Sequence, residues 1–594
     1  MKNTVHVSEV EKQLLEDISK EVPNAVLERF TTLVRESGSE DERKAADFLV
    51  DYLKEWGIPH KVHQPELYLS LPRKATLKIT HPVEREIRVK NPSFSISTGD
   101  KGGKGELVFI STGYAKGIND IFGTKIDDNI GDLEGKIVMT EGFPMPGKVG
   151  EFAEMGVKAA IFISPGENIH EGICTTIWGA PDLDNMGDEP KIPVMAINKS
   201  DGQELIQLCG EGKVEIEFQT RLEKGWYPCP VIDIFIEGTE EPEKYVLLHG
   251  HLDSWHVGIG DNATGDAALL EMARIFHQHR DKLKRSLRIA IWPGHSYGRY
   301  AGSTWFADAF GLDLDENCIA QVNCDSPGCR WATSYEHMMW MSEADEFCQK
   351  AIQDAVGQPS AGSRPLRAGD YSFNNIGITS FFMLSSTMPE ELLKEKGYYA
   401  VGGCGGNIDW HTEDDLIAVA DLDILEKDIK VYTTAVLRAI NATVHPFNFV
   451  KTAEEFIQTI QSYQDAAGNH FDFSAALNEA KSLREDLANF YREIDSLTED
   501  EITNPWVKEA NRKIERLARV LVPVNFSRKG KFRHDPALNV APLPDIAAAG
   551  NFQKLEKGTH QYNVLQTHLT RGQNRIAAAF REARELLQLN KQEL

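Results

Sequence analysis

The sequence predicts an α/β protein whose mixed, mainly parallel sheet is flanked by helices. Residues 245–248 form a continuous apolar run that passes into HGHLD at 249–253, and residues 287–292 form a second run that ends in PGHS at 293–296. Such runs are typical of buried parallel strands, and open α/β sheets place their sites where these strands end. Apolar residues recur at helical spacing from 269 to 276, so strand, helix and strand follow in the order of an α/β unit.

Changes in sequence pattern divide the rest of the chain. The first 60 residues predict two amphipathic helices, the second ending at Gly57, and residues 74–79 predict a first strand of the main sheet. Helices at 510–521 and 573–589 are the clearest near the C-terminus. We therefore divide the chain into four segments. They are the N-terminal part of the main domain (1–95), an inserted β-rich domain (96–231), the remainder of the main domain (232–445) and a C-terminal helical domain (446–594).

Composition is that of a soluble globular protein. The 594 residues are 41% hydrophobic and 26% charged, and the formal net charge of −26 argues against a nucleic-acid partner, which requires a basic surface. No apolar stretch is long enough to span a bilayer, and the first residues lack the apolar segment of a secretory leader. The eight cysteines form no Cys-x-x-Cys pair, so we expect free thiols and a cytoplasmic protein without membrane contact.

Four short motifs carry a family resemblance. They are GHLDSW at 250–255, GDNATG at 260–265, NCDSPG at 323–328 and DWHTEDD at 409–415. Their order resembles the zinc aminopeptidases and carboxypeptidases of the M28 family. It is most similar to the branch that includes glutamate carboxypeptidase II and the transferrin receptor. The resemblance implies that the insert is a protease-associated domain, which shapes the substrate cleft or serves only as a spacer. It also implies that the helical domain forms a homodimer, the alternative being a helical cap without a partner.

The resemblance also implies a metal site. In the family one aspartate bridges two ions, and here that residue is Asp261, with a cis peptide bond to Asn262. Asp253 would orient the imidazole of the first ligand through its other nitrogen. The implied metal ligands are His251, Asp261, Asp325 and His411.

One motif departs from the family pattern. WPGHSYG at 292–298 stands where the family has Trp-Asp-Ala-Glu-Glu-aromatic-Gly, so His295 replaces the general base and Ser296 replaces a ligand glutamate. A neutral hydroxyl is a poor ligand compared with a carboxylate. Three alternatives remain open: one ion at His251, Asp261 and Asp325 with His411 as a substrate contact; recruitment of His295 as a metal ligand; or a site that binds no metal. Histidine is also a competent base near neutral pH.

Substrate contacts are expected around the altered motif. The segment SRPLRAGDYSFNNIGI at 363–378 resembles a family segment near the substrate pocket, and it places Arg367 and Tyr371 there. An arginine at this point would bind a carboxylate through two hydrogen bonds. Ser296 and His256 are further candidates for substrate binding.

The leading hypothesis is a metal-dependent hydrolase acting on a C–N bond of a small molecule or short peptide that carries a carboxylate. His295 would act as the general base, and we expect one divalent ion per chain. Zinc is the first choice, and iron, cobalt, nickel or manganese would also suit the donors. Two alternatives are a one-metal enzyme with lyase-like chemistry and a non-catalytic pseudopeptidase that only binds a partner.

Overall fold

The strands form two large sheets and one small one in the computed structural model, which describes residues 8–121 and 131–588. In chain order the strands are β1 (His60–His63), β2 (Glu66–His81), β3 (Arg85–Ile87), β4 (Gly103–Phe109), β5 (Ile137–Glu141), β6 (Ala159–Ile163), β7 (Val194–Ile197), β8 (Val214–Pro228), β9 (Val231–Ile236), β10 (Glu241–His251), β11 (Arg285–Trp292), β12 (Cys318–Asn323), β13 (Tyr335–Met339), β14 (Ser360–Ser363) and β15 (Thr379–Phe381).

Helices surround the sheets and make up most of the C-terminal region. In chain order they are α1 (Glu9–Glu16), α2 (Glu21–Phe30), α3 (Glu40–Glu55), α4 (Ile118–Ile121), α5 (Pro146–Glu154), α6 (Lys199–Glu211), α7 (Thr264–Gln278), α8 (Ala301–Ala309), α9 (Gly311–Asn317), α10 (Asp345–Val356), α11 (Glu390–Lys396), α12 (Leu422–Asn441), α13 (Phe449–Ala467), α14 (Ser474–Ile494), α15 (Pro505–Phe526) and α16 (His560–Gln588).

The main sheet has six strands in the order β1-β9-β11-β10-β12-β15. The pairs β10–β11, β10–β12 and β12–β15 are parallel, and β1–β9 and β9–β11 are antiparallel. Side chains alternate between its faces: Val246 and Leu248 pack in the core that includes α7 and α12, whereas Tyr245 and Leu247 pack with residues of α8 and α9. The predicted mixed, mainly parallel sheet flanked by helices is confirmed.

The second sheet has seven strands in the order β3-β2-β8-β4-β5-β6-β7. The prediction that residues 74–79 join the main sheet is wrong, because they lie in β2 and pair with β8 along a ladder from Glu66–Pro228 to His81–Glu215. The inserted β-rich unit therefore begins near residue 66 rather than at 96. Local pattern could not reveal this, because the pairing partner lies far along the chain.

The N-terminal region forms three helices where the sequence predicted two. Ser39 accepts a hydrogen bond from the backbone NH of Glu42 and caps α3, and Gly57 follows the helix with a φ of 65°, as the predicted stop requires. All eight cysteines are free. Among residues 8–121 and 131–588, no helix combines the length and apolar character that a membrane crossing needs.

The C-terminal helices pack on one another and on the main domain. The predicted helices 510–521 and 573–589 lie in α15 and α16, although residue 589 falls outside the described residues. Glu343 connects the two regions: its carboxylate accepts hydrogen bonds from Thr379 Oγ1 on β15 (2.9 Å) and Thr452 Oγ1 on α13 (3.0 Å). Its side chain is buried, and no cationic side chain among the described residues pairs with it.

We expect the junction at Glu343 to weaken as pH rises. Burial raises the pKa of the Glu343 carboxyl to about 7, so the neutral form stabilises the fold below the ordinary glutamate pKa of about 4.3, and that contribution is lost as pH rises through 7. Glu343→Gln keeps the side chain neutral, so the variant should melt close to wild type at pH 5 and a few degrees higher at pH 8, measured by circular dichroism. Glu336→Gln, at an exposed site, is the control; an equal difference for Glu343→Gln at both pH values would contradict the expectation.

Candidate functional site

Three neighbouring strands of the main sheet deliver side chains to one edge. His251 ends β10 and lies opposite Trp292 of β11, while His249 lies opposite Asn323 of β12. Because these strands run parallel, the segments that follow them meet at their carboxyl ends. Those segments carry His295 and Asp325, and Asp261 lies just before α7.

Asp261 lies between two histidines. Its Oδ1 is 3.0 Å from Nε2 of His251, and its Oδ2 is 3.0 Å from Nε2 of His411. His251 is fully buried and Asp261 nearly so. Although burial raises the pKa of Asp261, the short contacts with the two imidazoles outweigh it, and the pKa lies well below its ordinary value. The carboxylate is therefore held ionised between two nitrogen atoms.

The second nitrogen of each imidazole fixes its tautomer. Nδ1 of His251 lies 2.9 Å from the carbonyl oxygen of Asp253, and Nδ1 of His411 lies 3.2 Å from the carbonyl oxygen of Glu171. A carbonyl only accepts, so both Nδ1 atoms donate, and in the neutral imidazole Nε2 carries the lone pair. In each ring that lone pair is directed at Asp261.

His251 Nε2 has no hydrogen-bond partner among the described residues, although it is buried. It also faces Asp325, whose Oδ2 lies 3.7 Å away. Burial lowers the pKa of His251, but the carboxylates of Asp253, Asp261 and Asp325 outweigh burial and raise the pKa well above its ordinary value. A lone pair facing two carboxylates requires a cation between them, either a proton or a metal ion.

His295 lies beside His251, and their rings stack with centroids 3.8 Å apart and planes 9° apart. Its Nδ1 donates to Oδ2 of Asp370 at 3.0 Å, which leaves Nε2 as the accepting nitrogen. Each of His251, His295 and Asp325 offers one ligand atom, and these atoms lie within 4.8 Å of one another. Burial raises the pKa of the Asp370 carboxyl, but the facing imidazoles of His295, His251 and His249 outweigh it and hold the pKa below its ordinary value.

Asp253 holds the turn that carries His295. Its carboxylate accepts hydrogen bonds from the backbone NH of His295 (3.2 Å), the backbone NH of Ser296 (2.9 Å) and the hydroxyl of Ser37 (2.6 Å). The sequence predicted that this carboxylate orients His251. Instead, the backbone carbonyl of Asp253 binds His251 Nδ1, and the carboxylate oxygen lies farther away, at 3.6 Å.

The loop that carries Asp261 is fixed from below by Asp415. Its carboxylate accepts hydrogen bonds from the backbone NH groups of Gly260 (2.6 Å) and Asp261 (3.0 Å). Burial raises the pKa of Asp415 to about 7. The peptide bond between Asp261 and Asn262 is cis, which confirms the conformation that the family resemblance implied.

The inserted unit contributes to the site directly. Its residue Glu171 exchanges two contacts with His411: the Glu171 NH donates to the His411 carbonyl at 2.8 Å, and His411 Nδ1 donates back to the Glu171 carbonyl. The Glu171 carboxylate binds Lys90 (2.8 Å) and His256 (3.0 Å). Burial raises the pKa of Glu171, but the hydrogen bond from His256 and the charge of Lys90 outweigh burial and lower the pKa.

A cavity of about 100 Å³ opens beside these groups. The main domain contributes Asp261, His295, Arg299, Asp325 and His411 to its wall, and both parts of the chain add apolar surface. From the inserted unit come Ile118, Phe143, Pro144, Met145, Glu171, Gly172 and Ile173. The insert therefore forms one wall of the cleft and is more than a spacer.

Four residues predicted to bind substrate do not line this cavity. Arg367 donates from Nε to the carbonyl of Pro536 and from a terminal nitrogen to the carbonyl of Asp535. Tyr371 is buried in an aromatic and methionine-rich cluster beside the cavity, Ser296 is buried behind His295, and His256 pairs with Glu171. Arg367 and His256 are thus bound to other residues, and Tyr371 and Ser296 are buried away from the cavity.

Asp370 belongs to the segment that the sequence placed near the substrate pocket, although no role was assigned to it there. Two further residues of the site were missed in the sequence. Arg299 is a single charge within YGRYAG, an otherwise uncharged segment entering α8, which was a usable signal. Glu171 lies in the insert, and no local pattern connects it with His411.

Comparison with known proteins agrees with this arrangement. Residues 234–435 match the family model for peptidase family M28. The chain is 34% identical over 119 residues to a probable glutamate carboxypeptidase VP8 of Zea mays, covering 20% of this chain and 16% of that protein. It is 23% identical over 284 residues to carboxypeptidase Q of Xenopus laevis, covering 46% of this chain and 58% of that protein. The match thus spans less than two thirds of either relative.

A solved structure shows the same fold. The zinc aminopeptidase BSAP from Bacillus subtilis superposes with a TM-score of 0.51 at 19% identity, covering 73% of this chain and 96% of that structure. The order of motifs and the family match agree with one another. Residues 234–435 are therefore a peptidase family M28 domain.

Proposed function

We propose that this protein is a metal-dependent hydrolase that cleaves a C–N bond, peptide or amide, in a small substrate bearing a carboxylate. The M28 domain supports a peptidase-like reaction. The names of the similar proteins point the same way: a probable glutamate carboxypeptidase, a carboxypeptidase and a zinc aminopeptidase. The narrow cavity, closed on one side by the insert, suits a small molecule or short peptide.

The observation that carries this proposal is the buried Nε2 of His251. Among the described residues it has no hydrogen-bond partner, its ring is fixed by Nδ1, and it faces the carboxylates of Asp261 and Asp325. Imidazole nitrogen and carboxylate oxygen are the donors that zinc and similar divalent ions prefer. The residues present therefore fit a metal ion, which takes the place of the proton that would otherwise occupy this position.

One ion per chain suits the charge of the site. His251, Asp261 and Asp325 would hold it, and the two carboxylates balance a divalent charge. A second ion near His411 would share Asp261, but Ser296 gives it no carboxylate of its own. When bound, the ion supplies Lewis-acid chemistry that activates water and polarises a carbonyl. Zinc is the ion we expect, with iron, cobalt, nickel or manganese as the other candidates.

His295 is the proposed proton acceptor. Asp370 fixes its Nδ1–H, so Nε2 is the basic nitrogen, and the ring lines the cavity beside Asp261 and Asp325. A carboxylate behind an imidazole also stabilises the imidazolium that proton transfer creates. Asp253 keeps the backbone of His295 in place. Homodimerisation and a cytoplasmic location stay predictions.

Metal content tests the ligand set. Protein purified without added metal or a histidine tag should contain about one divalent ion per chain by elemental analysis. Asp261→Asn and Asp325→Asn should lose it, because each removes a carboxylate that neutralises the ion. Asp308→Asn, which removes an exposed carboxylate of α8, is the matched control and should keep the ion. A wild-type protein that stays metal-free after reconstitution would contradict the hydrolase proposal and favour a non-catalytic binding protein.

Restoring the family residue tests the one-ion stoichiometry. Ser296→Glu supplies the missing carboxylate, so the metal content should rise from about one ion to about two per chain. The control is Ser200→Glu, which adds an acid at an exposed position away from the site. Two ions in the wild-type protein would contradict the charge argument.

Activity as a function of pH tests His295. On a dipeptide substrate, His295→Ala should lower kcat by roughly 100-fold or more while the metal stays bound, since general-base assistance contributes about 10²–10⁴-fold. Asp370→Asn removes the carboxylate behind the ring, so it should lower kcat and shift the acidic limb of the kcat profile to lower pH. Loss of metal from His295→Ala would reassign His295 as a ligand, as its position near His251 and Asp325 allows.

A further inference from the structure

We infer that Arg299 binds the carboxylate of the substrate inside the cavity and is the residue that sets the acid specificity of the enzyme. The inference rests on the proposed function and assigns one part of it to a residue. The wall of the cavity brings Arg299 next to the proposed metal site, together with His295 and Asp325. Among the residues that the structure describes, no other arginine or lysine side chain lines this cavity.

Arg299 is a buried cation that has no hydrogen-bond or ion-pair partner among the described residues. Only 4% of its surface is exposed. Among residues 8–121 and 131–588 its guanidinium makes no hydrogen bond or ion pair, and its Nε is buried without a hydrogen-bond partner. Removing an arginine from water without pairing it is costly, so buried charges are ordinarily paired. An anionic ligand would supply the missing partner.

Other buried arginines of the chain show the usual pattern. Arg35 donates to the carbonyls of Leu252, Val257 and Gly258, all within 2.9 Å. The guanidiniums of Arg285 and Arg519 likewise bind a carboxylate or several backbone carbonyls. Arg367 uses two of its nitrogens for carbonyls near residue 535. Arg299 is unlike all four of these, and it alone among them lines the cavity.

The position of Arg299 is fixed close to the reacting groups. Its carbonyl accepts a hydrogen bond from the NH of Gly179 at 2.8 Å, which attaches its backbone to the inserted unit. Its guanidinium carbon lies 5.1 Å from the centroid of the Tyr300 ring, and that ring lies 5.0 Å from the His295 ring. The guanidinium and the proposed base therefore both lie close to the Tyr300 ring and line the same cavity.

The surroundings indicate a carboxylate next to an apolar group. Met339, Leu366 and Met383 line the same cavity and offer only apolar surface. A guanidinium presents parallel NH groups that match the two oxygens of a carboxylate. Arg367 follows Leu366 directly in the sequence, but it does not line the cavity.

Binding of paired probes tests the inference. The probes are N-acetylmethionine, which has a free carboxylate and an apolar side chain, and N-acetylmethioninamide, which lacks the charge. Isothermal titration with the protein as purified should show the acid binding at least tenfold more tightly than the amide. Arg299→Met should remove this preference by weakening the acid roughly tenfold to hundredfold, since a hydrogen bond to a charged group is lost. Arg299→Lys should keep part of the preference because it keeps the charge.

Controls separate recognition from folding and from the reaction. Arg330→Met removes a half-buried arginine whose guanidinium binds the Ala420 carbonyl outside the cavity, and it should leave the preference unchanged. Thermal melts identify any variant that fails to fold, in which case the lysine variant decides. Acetate bound as tightly as N-acetylmethionine would indicate a site for free anions and would overturn the inference.

The remaining outcomes distinguish the two proposals. Equal binding of acid and amide to wild type, absence of acid binding, or an acid preference that survives in Arg299→Met would each overturn the role of Arg299. If peptide hydrolysis is nevertheless present, the proposed function stands without it. An acid preference that depends on Arg299 in a protein without hydrolytic activity would support the binding role and would reject the hydrolase.

Discussion

The carboxylate of Asp261 is the group on which the rest of the site depends. Each of its oxygens faces the Nε2 atom of a different histidine, His251 or His411. Its backbone is fixed by Asp415, and each histidine is fixed through its Nδ1 by a carbonyl. Because both imidazoles aim their lone pairs at one anion, a positive charge is needed between them, carried by a proton or by a metal ion.

His295 and Ser296 stand where the family resemblance led us to expect two glutamates. A buried carboxylate is nevertheless close by, because Asp370 lies behind His295 and binds its Nδ1. A buried acid behind an imidazole tunes its basicity without competing for the ion, so the altered motif and the buried Asp370 are best understood together.

Features that depend on local sequence pattern were predicted correctly. Continuous apolar runs identified β10 and β11, and the residues that follow them meet at the sheet edge as expected. Predictions failed where a distant partner decides the outcome. Residues 74–79 pair with β8 in the second sheet, and Arg367 is held by carbonyls near residue 535. The unpaired state of Arg299 is likewise a property of its surroundings, which no local pattern records.

The exchange of hydrogen bonds between Glu171 and His411 links two units that are distant along the chain. The inserted unit holds the imidazole of His411 from behind, while the main domain presents the anion in front of it. If the insert swung away as a hinged cover, this imidazole would lose its orientation at the same moment. Opening of the cleft by that route would therefore also break the hydrogen bonds that orient this imidazole.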